Sequence, residues 1–545
     1  MKAIKGMRLI RAIRNKKTES PKNAIHSQQK ERFKHVVGHQ YKDMLELPIE
    51  ENTVFFIENY RNGPTGDMIN LLRACFEMEE FADYSFTWVG HSYSDVDLMF
   101  DKRLIVSNRV CIVSDGSEEY RRALAVSKYI VTGRYLPMWY IKRPGQVLVR
   151  IAGPEVNWER CLYNRDLLQV VSVSANKYDY VIGDASTVQY LCSNRSPACE
   201  SSLEAIDEVL PRYQAFSTLS VAPKVVVAYS QGLYEERWKS NPDAFYDWVR
   251  RIALNMNVEH DELAINIPSK AMDMFDEESL EGYAVAVRSI FGAIPLIKGA
   301  QVVLTNNRHA FCMAQDLGVH CVLLDAPSWG EDYTDIDLDE MGYTRYERYD
   351  NEDDALDAVK RTLLSMEPVR ETTNCCGSGH DASKAILERI VFNRGADHHE
   401  LEKEGNRNLL IVSWQDSDSF HDLIASRFRG VADTVLFVKN TGYWILDSDS
   451  KSFADSCITF RTGFHLGSDK ERSLIKKKQA DELYESMKDD AGNFAYLEWR
   501  RVLGDVRFET VFAPEKHDCF WEILLRFAPG KEVVLYDNIY ELCDE

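Results

Sequence analysis

The 545-residue chain reads as an α/β protein made of parallel sheets. Three observations predict this. Apolar runs rich in Val, Ile, Leu and Phe recur along the chain, each bounded by turn residues. The runs are nearly continuous rather than alternating, as strands buried on both faces are. Helical patterns of about 10–15 residues lie between them, the crossover length that parallel pairing needs.

The runs fall into three groups. VFFIEN (54–59), FTWVG (86–90), RLIVSN (103–108), VCIVSD (110–115), YIVTG (129–133), QVLVRIA (146–152) and YVIGD (180–184) form the first. KVVVAYS (224–230), LAINIP (263–268), QVVLTN (301–306) and CVLLDA (321–326) form the second. LLIVSW (409–414), TVLFVKN (434–440) and EVVLYDN (532–538) form the third. Polar or Pro-rich breaks separate the groups at 211–223, 366–379 and 396–408. The expected organisation is therefore a basic arm (1–50), a Rossmann-like domain (51–215), a second such domain (216–395), a linker (396–408) and a smaller Rossmann-like module (409–545). Two Rossmann-like domains in succession are the arrangement of GT-B transferases, whose ligands sit beyond the carboxyl ends of the strands.

Net charge is −21, which argues against nucleic acid as a partner, because phosphate backbones are held by clustered Lys and Arg. The charge is uneven. Residues 1–35 hold eleven Lys/Arg against Glu19 and Glu31, so this arm carries +9 and the remainder −30. A basic arm on an acidic body suits an anionic membrane surface, with each cation worth about 1 kcal/mol near the lipid. Ile4, Met7, Ile10 and Ile13 recur every third residue and make no single helical stripe. No apolar run approaches the ~18 residues of a membrane-crossing helix, and the start lacks a signal-peptide pattern. The expectation is a cytoplasmic protein, peripheral on the inner face of the membrane. The twelve cysteines are scattered, and Cys111 and Cys321 lie in apolar runs, so they read as reduced packing residues.

Several motifs suggest chemistry and do not carry it. Gly377-Ser378-Gly379-His380-Asp381-Ala382 fits G-x-G-x-x-A, but the residues before it are no buried strand, so it reads as a loop entering a helix. Asp335, Asp337 and Asp339 alternate, yet Glu340 and Tyr346 stand where a calcium loop needs Gly and Glu. His398-His399 has no Cys or His at zinc spacing. No metal and no cofactor is expected.

Residues 120–154, YRRALAVSKYIVTGRYLPMWYIKRPGQVLVRIAGP, carry a resemblance. Tyr120, Ser127, Lys128, Tyr129, Pro137, Gly145 and Gln146 are similar to landmarks of the CDP-glycerol:poly(glycerophosphate) glycerophosphotransferases, the bacterial teichoic acid polymerases. VFFIENYRNGPTGD and YSFTWVG resemble that family's opening strands. The resemblance implies transfer of glycerol phosphate, or a related group, from CDP-glycerol or another nucleotide-linked donor to a lipid-linked cell-wall glycopolymer. Such a transfer needs a base for the attacking hydroxyl and donors or cations for the phosphoryl charge.

The chain departs from the family at the reacting groups. Ala152 or Gly153 stands where the family has a histidine, and no His lies between His91 and His260. AYSQG (228–232) lacks the family's Arg, and Thr305-Asn306-Asn307-Arg308-His309 replaces its donor-phosphate loop. The resemblance leaves Thr305, Asn306, Arg308 and His309 as donor-binding residues, with His309 as the alternative base and Lys142 and Gln146 on the acceptor side. Tyr333, Tyr343 and Tyr346 are candidates to line a nucleotide. Glu498, Arg500 or Arg501, Gly504, Asp505, Phe508, Phe520, Trp521, Asn538 and Glu541 resemble a second glycosyltransferase-like module often fused in the family. One Rossmann-like half closes no cleft by itself, so that module reads as structural or docking. Three readings stay open: an active polymerase-like transferase, an inactive paralogue that binds or scaffolds in the same pathway, and a nucleotide-sugar glycosyltransferase with a rebuilt site.

Overall fold

The computed structural model describes residues 37–57, 66–90, 109–137, 139–151, 174–183, 195–199, 203–206, 223–229, 237–238, 243–259, 262–266, 285–287, 293–324, 345–365, 379–394, 407–412, 434–439, 456–461, 491–515 and 519–537, with a few single positions between them. Residues 1–36 of the basic arm, the Asp335–Asp339 run, Tyr333, Tyr343, His398-His399, Asn538 and Glu541 lie outside these residues.

Three parallel sheets are present. The first holds β1 (Glu50–Ile57), β2 (Ser85–Val89), β3 (Val110–Val113), β4 (Ser127–Thr132), β5 (Val147–Ile151), β6 (Tyr180–Ile182) and β7 (Glu204–Ile206), in the order 3-2-1-4-5-6-7. The second holds β8 (Val225–Ala228), β9 (Leu263–Asn266), β10 (Val285–Val287), β11 (Val302–Thr305), β12 (His320–Leu324) and β13 (Tyr346–Tyr349), in the order 10-9-8-11-12-13. The third holds β14 (Asn408–Val412), β15 (Thr434–Lys439), β16 (Ser456–Arg461), β17 (Phe508–Pro514) and β18 (Gly530–Tyr536), in the order 16-15-14-17-18. Each sheet starts in the middle, runs outward to one edge, then returns to build the other side. That is the Rossmann order, used three times.

The helices that matter below are α1 (Gly66–Glu77), α2 (Glu118–Val126), α3 (Asp243–Met256), α4 (Ala293–Gly299), α5 (Arg308–Asp316), α6 (Glu352–Ser365), α7 (Gly379–Phe392), α8 (Ala491–Leu503) and α9 (Cys519–Arg526). Alternation along β1 shows how the first sheet is covered. Val54 and Phe56 face one core with Met68, Leu71 and Leu72 of α1, while Phe55 and Ile57 face another with Tyr120 and Leu124 of α2. β8, β9 and β11 are buried along their whole length, as central parallel strands are. Cys75 and Cys321 are buried packing residues, whereas Cys111 is exposed, because β3 is an edge strand.

Two features join the units. The first is α7, whose Ile386, Leu387 and Ile390 share a core with α1 and with residues of both the first and second sheets. Polar ties reinforce it: Arg389 pairs with Glu204, Arg394 with Glu80 at 3.1 Å, and the Tyr129 hydroxyl donates to the Val391 carbonyl at 3.4 Å.

The second is the seating of the third unit on the first. Phe494, Trp499 and Leu503 of α8 share a core with Tyr140, Tyr178 and Leu203. Ser196 Oγ lies 2.7 Å from Thr434 Oγ1, Cys199 bridges to Val506, and the Arg507 amide donates to the Ala198 carbonyl at 2.9 Å. Gly504 sits at φ +79°, and a Cβ there would lie 2.5 Å from the Asn176 carbonyl oxygen, so only glycine permits this approach. Asn176 and Ala198 precede β6 and β7, and Gly504 precedes β17. The two sheets therefore meet at their amino edges.

Candidate functional site

In an open parallel sheet a crevice forms at the carboxyl edge, where the strand order reverses. In the second sheet that point lies between β8 and β11, whose last residues, Ala228 and Thr305, are register partners. Thr305 Oγ1 donates to the Ala228 carbonyl at 2.5 Å and accepts the Asn307 amide at 2.8 Å. The hydroxyl thus laces the switch point together and turns the chain into α5. Asn307 caps that helix, its carbonyl accepting the Phe311 amide at 2.9 Å. Asn306 is buried beside it, and Arg308 and His309 are the first two residues of α5. The side chains of Arg308 and His309 lie outside the described positions. Thr305 and Asn306 are thus brought together at the switch point, with the positive end of the helix dipole adjacent.

Sequence reasoning missed a carboxylate at this edge. Glu352 opens α6 directly after β13, and Oε1 accepts from Tyr229 Oη at 3.1 Å, Trp248 Nε1 at 2.9 Å and Arg237 Nη1 at 2.8 Å. Arg251 approaches Oε2 at 3.4 Å. Tyr229 immediately follows β8, so this hub ties α3 and α6 to the mouth of the sheet. The legible signal was an acid that opens a helix after a strand.

At the carboxyl edge of the first sheet, Arg134 follows β4 and grips Asp115 after β3 with two bonds of 2.7 and 2.6 Å. Its Nη2 also reaches the Tyr120 hydroxyl at 3.3 Å. Burial opposes the Arg134 charge, and Asp115 and Tyr120 together more than offset it, holding the guanidinium above its ordinary range. Burial also pushes the Tyr120 phenol up to about 12. Arg121 donates to the Gly116 carbonyl at 2.8 Å at the same edge. Next to Thr132, on β5, stands Arg150, close to the strand end where the resembled family places its histidine. Ala152 and Gly153 lie outside the described residues.

Lys142 and Gln146 are elsewhere. Both precede β5, so they occupy the amino edge, away from any carboxyl-edge crevice. Gln146 is buried, with Nε2 donating to the Leu124 and Ser127 carbonyls at 2.9 and 2.8 Å and Oε1 accepting the Arg143 amide at 3.0 Å. Lys142 is buried in an ion pair with Asp179, which also accepts the Leu148 amide at 2.7 Å. Arg500 of α8 donates to the Lys142 carbonyl at 3.3 Å. Both side chains thus hold the first sheet's amino edge, and the Lys142 backbone carbonyl receives the third unit.

The landmarks of the third unit converge on the same seam. Glu498 and Arg501 are fully buried and paired at 2.6 Å, and Arg500 bonds Asp505 at 3.0 Å. An open pocket of about 750 Å³ lies there, lined by Arg407, Tyr496, Arg500, Arg507, Phe527 and Lys531 among others. It opens at the amino edge of the third sheet.

No protein-family model and no curated protein matches the sequence. Among solved structures, wall teichoic acid polymerase TagF aligns over 67% of this chain and 97% of its own, with TM-score 0.42 and 11% identity. A TagF variant soaked with CDPG aligns over the same shares at TM-score 0.42 and 12% identity. UDP-GlcNAc 2-epimerase from Neisseria meningitidis, solved bound to UDP-GlcNAc, aligns over 63% of this chain and 100% of its own, with TM-score 0.38 and 9% identity. The solved structures this chain resembles thus include teichoic acid polymerase and nucleotide-sugar enzymes, a likeness of arrangement at low identity.

Proposed function

We propose that the chain is a GT-B-type transferase that moves glycerol phosphate or a related group from a CDP-linked or other nucleotide-linked donor to a lipid-linked cell-wall glycopolymer. One observation carries the reading. The loop that stands for the family's donor-phosphate segment falls at the switch point of the second sheet, between Ala228 and Thr305. A helix N-terminus with Arg308 and His309 in its first turn supplies what a diphosphate requires there, namely backbone donors, dipole and cation.

In the transfer, the acceptor hydroxyl oxygen bonds to the donor's terminal phosphorus as the bond to the departing nucleotide breaks, and the bond electrons leave with the nucleotide. The hydroxyl proton goes to a base. His309 is the proposed base, since its neutral form is well populated near neutral pH. Arg308 balances charge on the departing nucleoside monophosphate. Attachment to the inner membrane face through residues 1–35 would bring the lipid-linked acceptor within reach.

A panel of CDP-glycerol, CDP-ribitol, CMP and UDP- and GDP-sugars, read by melting temperature and nucleotide release, tests the reading. A true ligand at a hundred times its Kd adds about 2.7 kcal/mol of stability. The expected result is stabilisation by cytidine nucleotides with CMP release, and loss of release with weakened but measurable binding in His309→Ala. No shift with any nucleotide would sink the proposal. The inactive-paralogue reading is favoured by the first domain's lack of any histidine between His91 and His260. Binding of a donor without release, in the presence of acceptor, would select it.

A further inference from the structure

Arg150 is a buried cation with no anionic partner among the described residues. Its residue is 3% exposed, and neither Nε nor Nη1 has a hydrogen-bond partner. The guanidinium carbon stacks on the face of Tyr135, 4.8 Å from the ring centre. The nearby carboxylates are committed elsewhere: Asp115 to Arg134, Asp179 to Lys142 and the Leu148 amide, Glu204 to Arg389. Among the described residues, then, no anion pairs with Arg150.

Such a group is costly. A buried charge is normally paired and hydrogen-bonded, and stacking on one ring replaces little of the lost hydration. Yet the chain places it on a central strand, where Leu or Val would pack at no such cost. Its location suggests why. Arg150 is in register with Thr132 on β4, and the switch point of the first sheet lies between β4 and β1, where Thr132 pairs with Ile57. Arg121 and Arg134 stand at the same edge, with Asp115 as the carboxylate bonded between their loops. The edge therefore carries three guanidiniums, with Asp115 held by Arg134 and with Glu118 and Glu119 opening α2, in a protein whose net charge is −21.

We infer that Arg150 is the receptor for a phosphate-type oxyanion that enters the carboxyl edge of the first sheet. A guanidinium offers several donors in one plane to a tetrahedral oxyanion, and an aromatic face beneath it holds that plane in place. Identifying this phosphate as part of the transfer substrate rests on the function proposed above. The unpaired charge does not.

The test exploits the opposite signs of the two effects. Arg150→Met and Arg150→Lys are compared with the intact wild-type chain by melting temperature and by titration calorimetry. Inorganic phosphate, glycerol phosphate and CDP are the probes. Without ligand, Arg150→Met should melt about 2 °C or more above wild type, because an unanswered buried charge has been removed. Phosphate should raise the melting temperature of wild type but not of Arg150→Met, and its affinity should fall by roughly thirtyfold or more. Arg150→Lys keeps the charge without the fork and should show weakened phosphate binding without the gain in melting temperature.

If the phosphate belongs to the acceptor, the affinity of glycerol phosphate depends on Arg150 and that of CDP does not. The reverse dependence assigns it to the donor. A lower melting temperature for ligand-free Arg150→Met would mean that Arg150 already serves the fold, and would overturn the inference. Equal stabilisation of wild type and Arg150→Met by every probe would do the same. The phosphate arms need no nucleotide, so they stand even if the nucleotide panel fails.

Discussion

Gln146 shows how a residue chosen from a family landmark can turn out to be scaffold. Its amide closes the turn that enters β5, satisfying two carbonyls and one backbone amide in a buried place. Gln146→Leu would leave the Leu124 and Ser127 carbonyls without these donors. Unfolding stability should fall by about 2 kcal/mol, read as a lower urea midpoint. The nucleotide-induced shift should be unchanged, since Gln146 is at the amino edge. Loss of nucleotide binding with stability intact would reverse this assignment. Arg150 is the converse case, a residue passed over as strand interior that the fold leaves chemically exposed. From sequence both look alike, one polar side chain among apolar neighbours. The difference lies in partners that come from residues distant along the chain.

At the scale of elements, α8 and the loop after it decide the seam. Arg500 and Arg501 both point toward the first domain, where Lys177 is buried with its Nζ donating to the Tyr140 carbonyl at 3.0 Å. Burial first, then the charges of Arg501 and Arg500, hold the Lys177 ammonium well below its ordinary range. The unfolded chain keeps its proton up to the ordinary lysine value of 10.5, so between the lowered value and that limit the unfolded state binds more protons. Stability should therefore rise with pH across that window. Lys177→Met removes the effect. Urea midpoints measured from neutral pH to about pH 9.5, below the tyrosine range, should climb more steeply for wild type than for the variant. Parallel profiles would show that Lys177 stays charged at the seam.

The whole molecule differs from two facing domains with an appendage. α7 returns from the second unit to pack on α1, and α8 buries Phe494, Trp499 and Leu503 against the first unit. A chain ending at residue 406 would uncover the wall around Tyr140, Tyr178 and Leu203 and leave Lys142 and Lys177 facing water. We expect it to melt several degrees lower and to self-associate on size-exclusion chromatography, since large exposed apolar patches drive association. A shortened chain that is monomeric and melts like the full protein would mean the seam adds nothing. No helix among the described residues is long and apolar enough to cross a membrane.

Central strands were legible because their apolar runs are nearly continuous: VVVA, LAIN, VVLT and HCVLL announce burial on both faces. Edge strands were not. Tyr346–Tyr349 reads as Tyr-Glu-Arg-Tyr, and Glu204–Ile206 and Val285–Val287 are three residues long, too short for periodicity to mark. The fold class followed from local apolar pattern, because pattern sets which segments become central strands. Tertiary structure decided which edge of the sheet each polar residue faces, that Lys142 and Gln146 hold the first sheet's amino edge, that Glu352 gathers four partners, and that no anion among the described residues pairs with Arg150. Those facts depend on pairings between residues tens to hundreds of positions apart, and single-chain spacing does not encode them.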